Sequence, residues 1–313
     1  MNTNDRILPG VALMISFCVI APLIDVSSKL AAHEVPVGVV TLARFLVQAA
    51  LMLPVVWIMR QSFRLTPRAL WLTTLRASVS ILSTYCFIAA LRYMPVADAL
   101  AIAFVEPFII LLIGKLVLAE QVGPRRLGAC AVGFLGSLLV IQPSFAHFGA
   151  IALFPLGTAL AFALYILVTR ALSRHLHPVP MQFHTALIAG TICLPLLAAG
   201  NALGEPSLTF AAPQGIFWLW CFCVGLAASI SHMAMTYALK FAPSSTLAPL
   251  HYLEIVTATL FGYLVFGDFP NALTWCGIAI IVSSGLYIIH RERKVSRSGA
   301  NAQSPVQGTP SAV

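Results

Sequence analysis

Charge is what this sequence has least of. Of its 313 residues, 9% are Asp, Glu, Lys or Arg, where a soluble domain carries about 25%. Hydrophobic residues make up 59%, and mean hydropathy is +0.93. So few polar side chains cannot cover a water-exposed surface. That excludes a soluble enzyme, a nucleic-acid-binding domain and a disordered chain. Cysteine chemistry is also missing. The seven cysteines (Cys18, Cys86, Cys130, Cys193, Cys221, Cys223, Cys276) are odd in number, lie in apolar runs and form no CxxC pair. They read as small core residues rather than a disulfide framework or metal site. There is no G-x-x-x-x-G-K-[ST] loop; Gly114-Lys115 lacks the rest of that motif. HExxH, GxSxG and Cys/His metal spacings are absent as well. No metal or cofactor is expected, and nothing points to an enzyme.

What remains is a polytopic, all-α membrane protein. Crossing a bilayer takes about 17–25 apolar residues, and ten runs qualify. They lie near Leu8–Ala31, Pro36–Met59, Ala69–Leu91, Val96–Leu118, Arg126–Ile141, Gly149–Arg170, Pro178–Ala199, Pro213–Leu239, Ser245–Gly267 and Ala272–His290. The connections are short and marked by Pro36, Pro95, Pro124, Pro178, Pro243 and Pro270. The first run lacks a strong basic flank and is expected to be a retained helix, not a cleaved signal. Residues 291–313 begin with Arg291, Arg293, Lys294 and Arg297 and continue in Ser, Gly, Pro and Gln. They are expected to form a disordered cytoplasmic tail.

The net charge of +8 reads as topology, because the basic residues sit in short loops. With the N-terminus inside, the inner segments hold Arg6, Arg60, Arg64, Arg68, Arg125, Arg126, Arg170, Arg174, Lys240 and the four basic tail residues. The outer ends hold only Lys29 and Arg92. Both termini are therefore expected in the cytoplasm, with the protein in the cell inner membrane. Trp57 and Trp71 fall near the inner interface, and Trp218, Trp220 and Trp275 near the outer one, as an aromatic belt requires.

A duplication runs through the chain. Ala90-Leu91-Arg92-Tyr93-Met94-Pro95 matches Ala238-Leu239-Lys240-Phe241-Ala242-Pro243 at an offset of 148. The same offset pairs Ser83 with Ser231, Glu106 with Glu254, Gly114 with Gly262, Leu116 with Leu264, Val117 with Val265, and Glu120 with Asp268. Residues 1–145 and 146–290 each hold five spans, so the two halves must lie upside down to one another. Inverted repeats are a common architecture of secondary transporters.

Ten spans in two five-helix halves, the Ala-Leu-[Arg/Lys]-[Tyr/Phe]-x-Pro turn and the Glu120-x-x-Gly123 and Asp268 ends resemble the EamA-type carriers of the drug/metabolite transporter superfamily. The resemblance covers roughly residues 8–290. It implies a carrier that moves a small polar or planar metabolite by alternating access. The family includes exporters of amino acids and metabolites, S-adenosylmethionine carriers and riboflavin importers. Ala97-Asp98-Ala99 and Phe104-Val105-Glu106-Pro107 look most like the vitamin and S-adenosylmethionine branch, with riboflavin uptake the first expectation. The alternatives are an S-adenosylmethionine or other metabolite carrier, in either direction, and a flippase of lipid-linked cargo. The partners implied are a small solute and membrane lipid, not nucleic acid, in a monomer or homodimer.

The candidate site residues are the polar ones at mid-span. Glu106 and Glu254 each sit about ten residues from either end of a span, where a carboxylate is costly and points to function. They either exchange a proton or bind a polar cargo; the competing reading is a structural lock between helices. Pro107 frees a carbonyl beside Glu106. His251 shares a helical face with Glu254 and is placed to relay protons, and Tyr252 to stack on a planar ligand. Ordinary packing is the alternative for both. Arg76, Ser80, Ser83 and Thr84, with Tyr85 beside them, and Ser229, His232 and Thr236 form polar stripes on the third and eighth spans. Asp25 and Arg44, at similar depth, are expected to form an ion pair that is structural or acts as an outer gate. Ala129, Gly133 and Ser137 make a small-residue face for packing within or between chains.

Overall fold

The computed structural model describes residues 7–90, 93, 96–120, 122–141, 149–266 and 271–302. Among them there is no strand. The first half contains α1 (Ile7–Ile20), α2 (Pro22–Ala31), α3 (Val37–Ile58), α4 (Pro67–Ala90), α5 (Val96–Ala103), α6 (Glu106–Val117) and α7 (Pro124–Ile141). The second contains α8 (Leu153–Leu172), α9 (Pro178–Ala202), α10 (Phe217–Phe241), α11 (Ser244–Leu247), α12 (Leu253–Phe266) and α13 (Ala272–Ala302). A 3-10 turn, Ala248–Tyr252, joins α11 to α12. Proline opens α2, α4, α7 and α9, where its missing N–H is one the helix could not use anyway.

Eight stretches of the described residues are long and apolar enough to cross a membrane, the first being α1 and α2 together across Ile7–Ala31. The fourth and fifth expected runs are not among the eight. The fourth is interrupted at Phe104-Val105, which leaves α5 at 8 residues and α6 at 12. The fifth, α7, is 18 residues long and opens on Pro124-Arg125-Arg126. Trp57, Trp71, Trp218 and Trp275 all project outward, each more than half exposed. The last helix continues past His290 to Ala302, into the stretch whose composition predicts disorder. Residues 303–313 lie outside the described ones, as do Arg92, Pro95 and Asp268.

The 148-residue offset reappears in the structure. The segment α5–α6 spans 96–117, and α11 through α12 begins at 244 and includes 265. Both are broken within one residue of the same place, after Phe104-Val105 in one and after Tyr252 in the other. Packing is exchanged under the offset too. The mates α7 and α13 pack on each other, as do α3 and α9; α4 packs on α8 just as α10 packs on α1.

The α7–α13 contact depends on glycine. A Cβ on Gly277 would lie 2.6 Å from the Gly136 carbonyl oxygen and 2.8 Å from the Val140 nitrogen, so the two backbones nearly touch. Gly133 seats the Tyr252 ring, with an added Cβ only 2.5 Å from it. The small-residue face of α7 is thus occupied inside the chain.

Gly277→Val is expected to destabilise the purified protein by about 1–3 kcal/mol, the usual range for overpacking. Gly262→Ala, at a position with nothing within 4 Å of the added Cβ, should leave the melting temperature in detergent unchanged or slightly higher. Equal melting of wild type and Gly277→Val would show that the close α7–α13 approach is not required.

Candidate functional site

The bundle has two unlike ends. At one, Gly38 approaches Leu197 and Leu208, the Tyr85 hydroxyl lies 3.2 Å from Ser207 Oγ, and the Tyr93 and Phe154 rings stack. At the other, Gly10 packs on Ala242, and His184 meets the Phe63 carbonyl. A cavity of about 130 Å³ runs from the middle of the bundle toward the first end. Its walls come from α1 (Phe17), α2 (Asp25, Ser28), α3 (Val40, Arg44), α4 (Ser80, Ser83, Thr84, Phe87), α5 (Ala103), α8 (Thr158, Phe162) and α10 (His232), with Glu106 and Glu254 at the two helix breaks.

Most of the polar residues expected at the site meet here. Glu106 is buried at the start of α6, and its Oε1 is 3.1 Å from His251 Nδ1. That contact is a close approach rather than an aligned hydrogen bond, since Oε1 has no hydrogen-bond partner. His251 stacks on Phe17 at 5.5 Å. Glu254 lines the same cavity from α12. Three carboxylates, Asp25, Glu106 and Glu254, therefore share one cavity.

Three expectations turn out differently. Asp25 and Arg44 line the cavity together, but among the described residues no carboxylate comes within 4.0 Å of Arg44. The guanidinium instead donates to Thr84 Oγ1, and through Nη2 to His232 Nε2 at 2.9 Å. Tyr252 is fully buried, with its ring against Gly133 and Phe104, its hydroxyl donating to the Phe104 carbonyl at 3.2 Å and Cys130 Sγ 3.7 Å away. No ring face is left to stack on a ligand. Tyr85, one helical step from Thr84, turns about 100° away and lines a separate apolar cleft beside Leu82, Leu196 and Leu208.

In the sequence, Arg76 reads only as part of a stripe. In the structure it is fully buried and forms the hub between α4 and the second half. Nε donates to Thr169 Oγ1 at 2.7 Å, Nη1 to Thr185 Oγ1 at 2.6 Å, and Nη2 to Gln182 Oε1 at 2.6 Å and Tyr165 Oη at 2.5 Å. The guanidinium also lies 4.3 Å from the Tyr165 ring centroid. Tyr165 Oη is 3.0 Å from His232 Nδ1. Arginine only donates, so His232 Nε2 must accept from Arg44. Nδ1 then carries the proton and points it at Tyr165. A continuous string Arg76–Tyr165–His232–Arg44–Thr84 thus runs into the cavity wall. Ordinary hydroxyls at Thr169 and Thr185 carried no signal that they would surround a cation.

The second end is fastened by polar groups from both halves. Glu120 accepts from the Ser244 N–H at 3.1 Å, Ser244 Oγ at 2.9 Å and the Ser245 N–H at 2.8 Å. Arg170 Nε is 3.7 Å from the same carboxylate, and its Nη1 donates to the Leu239 carbonyl at 2.6 Å. Arg126 Nη1 reaches Ser245 Oγ at 3.1 Å.

Two broken helices meeting beside a buried polar cavity, in a multi-pass membrane protein with an internal repeat, define a membrane carrier. The chain belongs to the EamA-like transporter family, whose model matches residues 8–142 and 148–290. It is similar to a riboflavin transporter of Rhizobium johnstonii, 30% identical over 230 residues, covering 74% of each chain. A riboflavin transporter of Vibrio cholerae is 29% identical over 270 residues, covering 85% of this chain and 87% of that one. An S-adenosylmethionine uptake transporter of Rickettsia prowazekii is 23% identical over 303 residues, covering 96% of this chain and all of that one. A solved crystal structure shares the fold, with a TM-score of 0.73 at 20% identity over 92% of this chain and 98% of that chain.

Glu120→Gln replaces a carboxylate oxygen with an NH₂ facing the Ser244 and Ser245 donors. Losing charge-assisted bonds should cost about 2 kcal/mol, read as a lower melting temperature in detergent. Glu120→Asp, which keeps the charge on a shorter arm, should fall between the two. An unchanged melting temperature for Glu120→Gln would mean that this end is held by packing alone.

Proposed function

We propose that this protein is a secondary carrier that takes up riboflavin by alternating access, and that its role is transport rather than catalysis. The observation that carries this reading is the central cavity at the two helix breaks. Phe17, Phe87, Phe104 and Phe162 line it beside Arg44, Glu106, His232 and Glu254. Aromatic faces suit a planar ring system, and polar groups beside them suit its hydrogen-bonding edge. Relatives from Rhizobium johnstonii, Brucella anthropi and Vibrio cholerae bear the name riboflavin transporter. Pockets for ligands of drug size hold about 300–1,000 Å³, so the cavity of about 130 Å³ is a contracted state whose aromatic walls part to admit cargo.

The eight long apolar stretches, the broken α5–α6 pair and α7 together make ten spans, in two inverted halves that divide near residue 145. The end fastened by Glu120 and Arg170 also carries Arg60, Arg64, Arg174 and Lys240. The positive-inside rule makes that end cytoplasmic, with both termini and the tail beyond the last span on the same side of the inner membrane. The cavity then faces the outside, one of the two states that alternating access requires. Glu106 and Glu254 serve as the proton-exchanging pair, with His251 beside Glu106. The small-residue face of α7 packs within the chain, which favours a monomer as the working unit.

One observation favours a second cargo. Three carboxylates in one cavity suit the sulfonium and ammonium groups of S-adenosylmethionine, and relatives from Rickettsia are named for its uptake. Growth decides between the two. Expressed in a bacterium that cannot make riboflavin and lacks an importer, the protein should restore growth at riboflavin levels that starve the empty-vector control. No rescue, with the protein present in the membrane, would remove riboflavin as the cargo. In proteoliposomes, uptake should fall as the external pH rises, because the inward proton gradient that drives a proton-coupled carrier is lost. Glu254→Gln and Glu106→Gln should flatten that pH profile and lower the rate by tenfold or more. Wild-type rates with an unchanged pH profile in both variants would end the proton-coupling idea.

A further inference from the structure

The electrostatic arrangement at Arg44 is unusual for a buried cation. The residue is 8% exposed, and a desolvated guanidinium normally finds a carboxylate. Asp25, Glu106 and Glu254 line the same cavity, yet no acid lies within 4.0 Å of it among the described residues. Its hydrogen bonds go only to neutral acceptors, Thr84 Oγ1 from α4 and His232 Nε2 from α10, and the guanidinium lies 5.4 Å from the Phe45 ring centroid. Its buried Nε–H has no partner at all. His232 does not move freely, because Tyr165 and behind it Arg76 hold its other nitrogen. The string from the Arg76 hub therefore aims a guanidinium at the cavity, with Asp25 acting on it electrostatically from beyond 4.0 Å rather than in direct contact.

We propose that Arg44 is the cargo's polar anchor and a specificity-determining residue: it donates a hydrogen bond to a carbonyl oxygen of the transported molecule. His232 is the positioning residue that fixes the guanidinium's direction. The proposal rests on the flavin reading of the cavity. The pyrimidine edge of a flavin alternates acceptor, donor and acceptor (C2=O, N3–H, C4=O). Arg44 on one wall supplies the donor for a carbonyl. The carboxylates that share the cavity, from α2, α6 and α12, supply acceptors for N3–H. A cavity that carries both a guanidinium and carboxylates thus reads that edge, while the phenylalanines cover the ring faces. Holding Arg44 apart from the acids is what keeps both kinds of group available. A closed Asp25–Arg44 ion pair would mask the anchor.

The test is the concentration dependence of riboflavin uptake into proteoliposomes, with competition by flavins in which the C2 or C4 carbonyl oxygen is replaced by sulfur, a weaker acceptor. Arg44→Gln should raise the half-saturation concentration at least tenfold, about 1.4 kcal/mol, while the maximal rate changes less than threefold. Arg44→Lys, which keeps the charge but not the planar fork, should recover part of the affinity. One of the two thio-flavins should compete several-fold more weakly than riboflavin on the wild type and equally well on Arg44→Gln. His232→Phe should behave like Arg44→Gln, and His232→Gln, whose amide oxygen can replace Nε2 as acceptor, should recover part of the lost affinity.

If the wild type moves riboflavin but Arg44→Gln leaves half-saturation within twofold, the anchor is wrong and the cargo reading stands. The anchor is equally wrong if the variant merely lowers folded protein and maximal rate, or if the thio-flavin penalty persists in it. If the wild type moves no riboflavin, the cargo reading and the anchor built on it fall together.

Discussion

A helix that breaks in the middle of a membrane exposes backbone groups where no water can satisfy them. Each unpaired group costs several kcal/mol in hydrocarbon, so a break must be covered by protein or face a cavity. The two repeat-related segments break after Val105 and after Tyr252, and much of the packing around them covers those breaks. They cover each other: the Tyr252 hydroxyl donates to the Phe104 carbonyl, its own mate at the 148-residue offset. Cys18 Sγ reaches the Leu250 carbonyl, and Thr257 Oγ1 donates to the Cys18 carbonyl, so α1 is tied to the second break. What remains uncovered faces the cavity, and there the first turns of α6 and α12 present Glu106 and Glu254.

Around those breaks the charges are arranged by what their neighbours leave possible. Arg76 is surrounded by hydroxyls and an amide from α8, α9 and α10, and it acts as a rigid hub rather than an ion-pair partner. Its direct contact with Tyr165 orients His232, which orients Arg44. On the cytoplasmic side of the proposed topology, Glu120 fastens the N-terminus of α11 while Arg170 covers the carbonyl end of α10. One end of the bundle is therefore bolted through polar groups, and the other admits a cavity. A carrier needs that asymmetry at any one moment, because a path open at both ends is a channel.

Some of the site was legible in the residues and some was not. Glu106 and Glu254 stood out because an acid in an apolar run has few innocent explanations, and their shared offset placed them at equivalent points. Thr84 and His232 were legible as members of polar stripes, since a helix must turn such a face inward. Tyr252 misled, because the same ring suits stacking on a ligand or filling a notch. Only the approach of Gly133 from α7 shows that the notch claims it. Asp25 and Arg44 misled for a related reason: equal depth in two helices says nothing about the direction of a long side chain. Thr84 and His232 reach the guanidinium before any acid does. Arg76 was visible, but its hub was not, because its partners are common residues from distant positions such as Thr169, Thr185 and Gln182.

The sequence by itself determined that this chain lives in a membrane, because so apolar a composition has no stable alternative in water. It determined a two-fold internal organisation, because one constant offset preserved prolines, glycines and acids in register, and it marked two carboxylates as out of place in hydrocarbon. Tertiary structure decided which polar groups face one another. It placed Arg44 apart from Asp25, buried Tyr252, turned Tyr85 into a separate cleft and linked Arg76 to the cavity through Tyr165 and His232. The physical reason is that hydropathy and periodicity are local sums along the chain. A hydrogen bond is a distance of about 3 Å between groups whose separation in sequence, 188 residues for Arg44 and His232, no local pattern encodes.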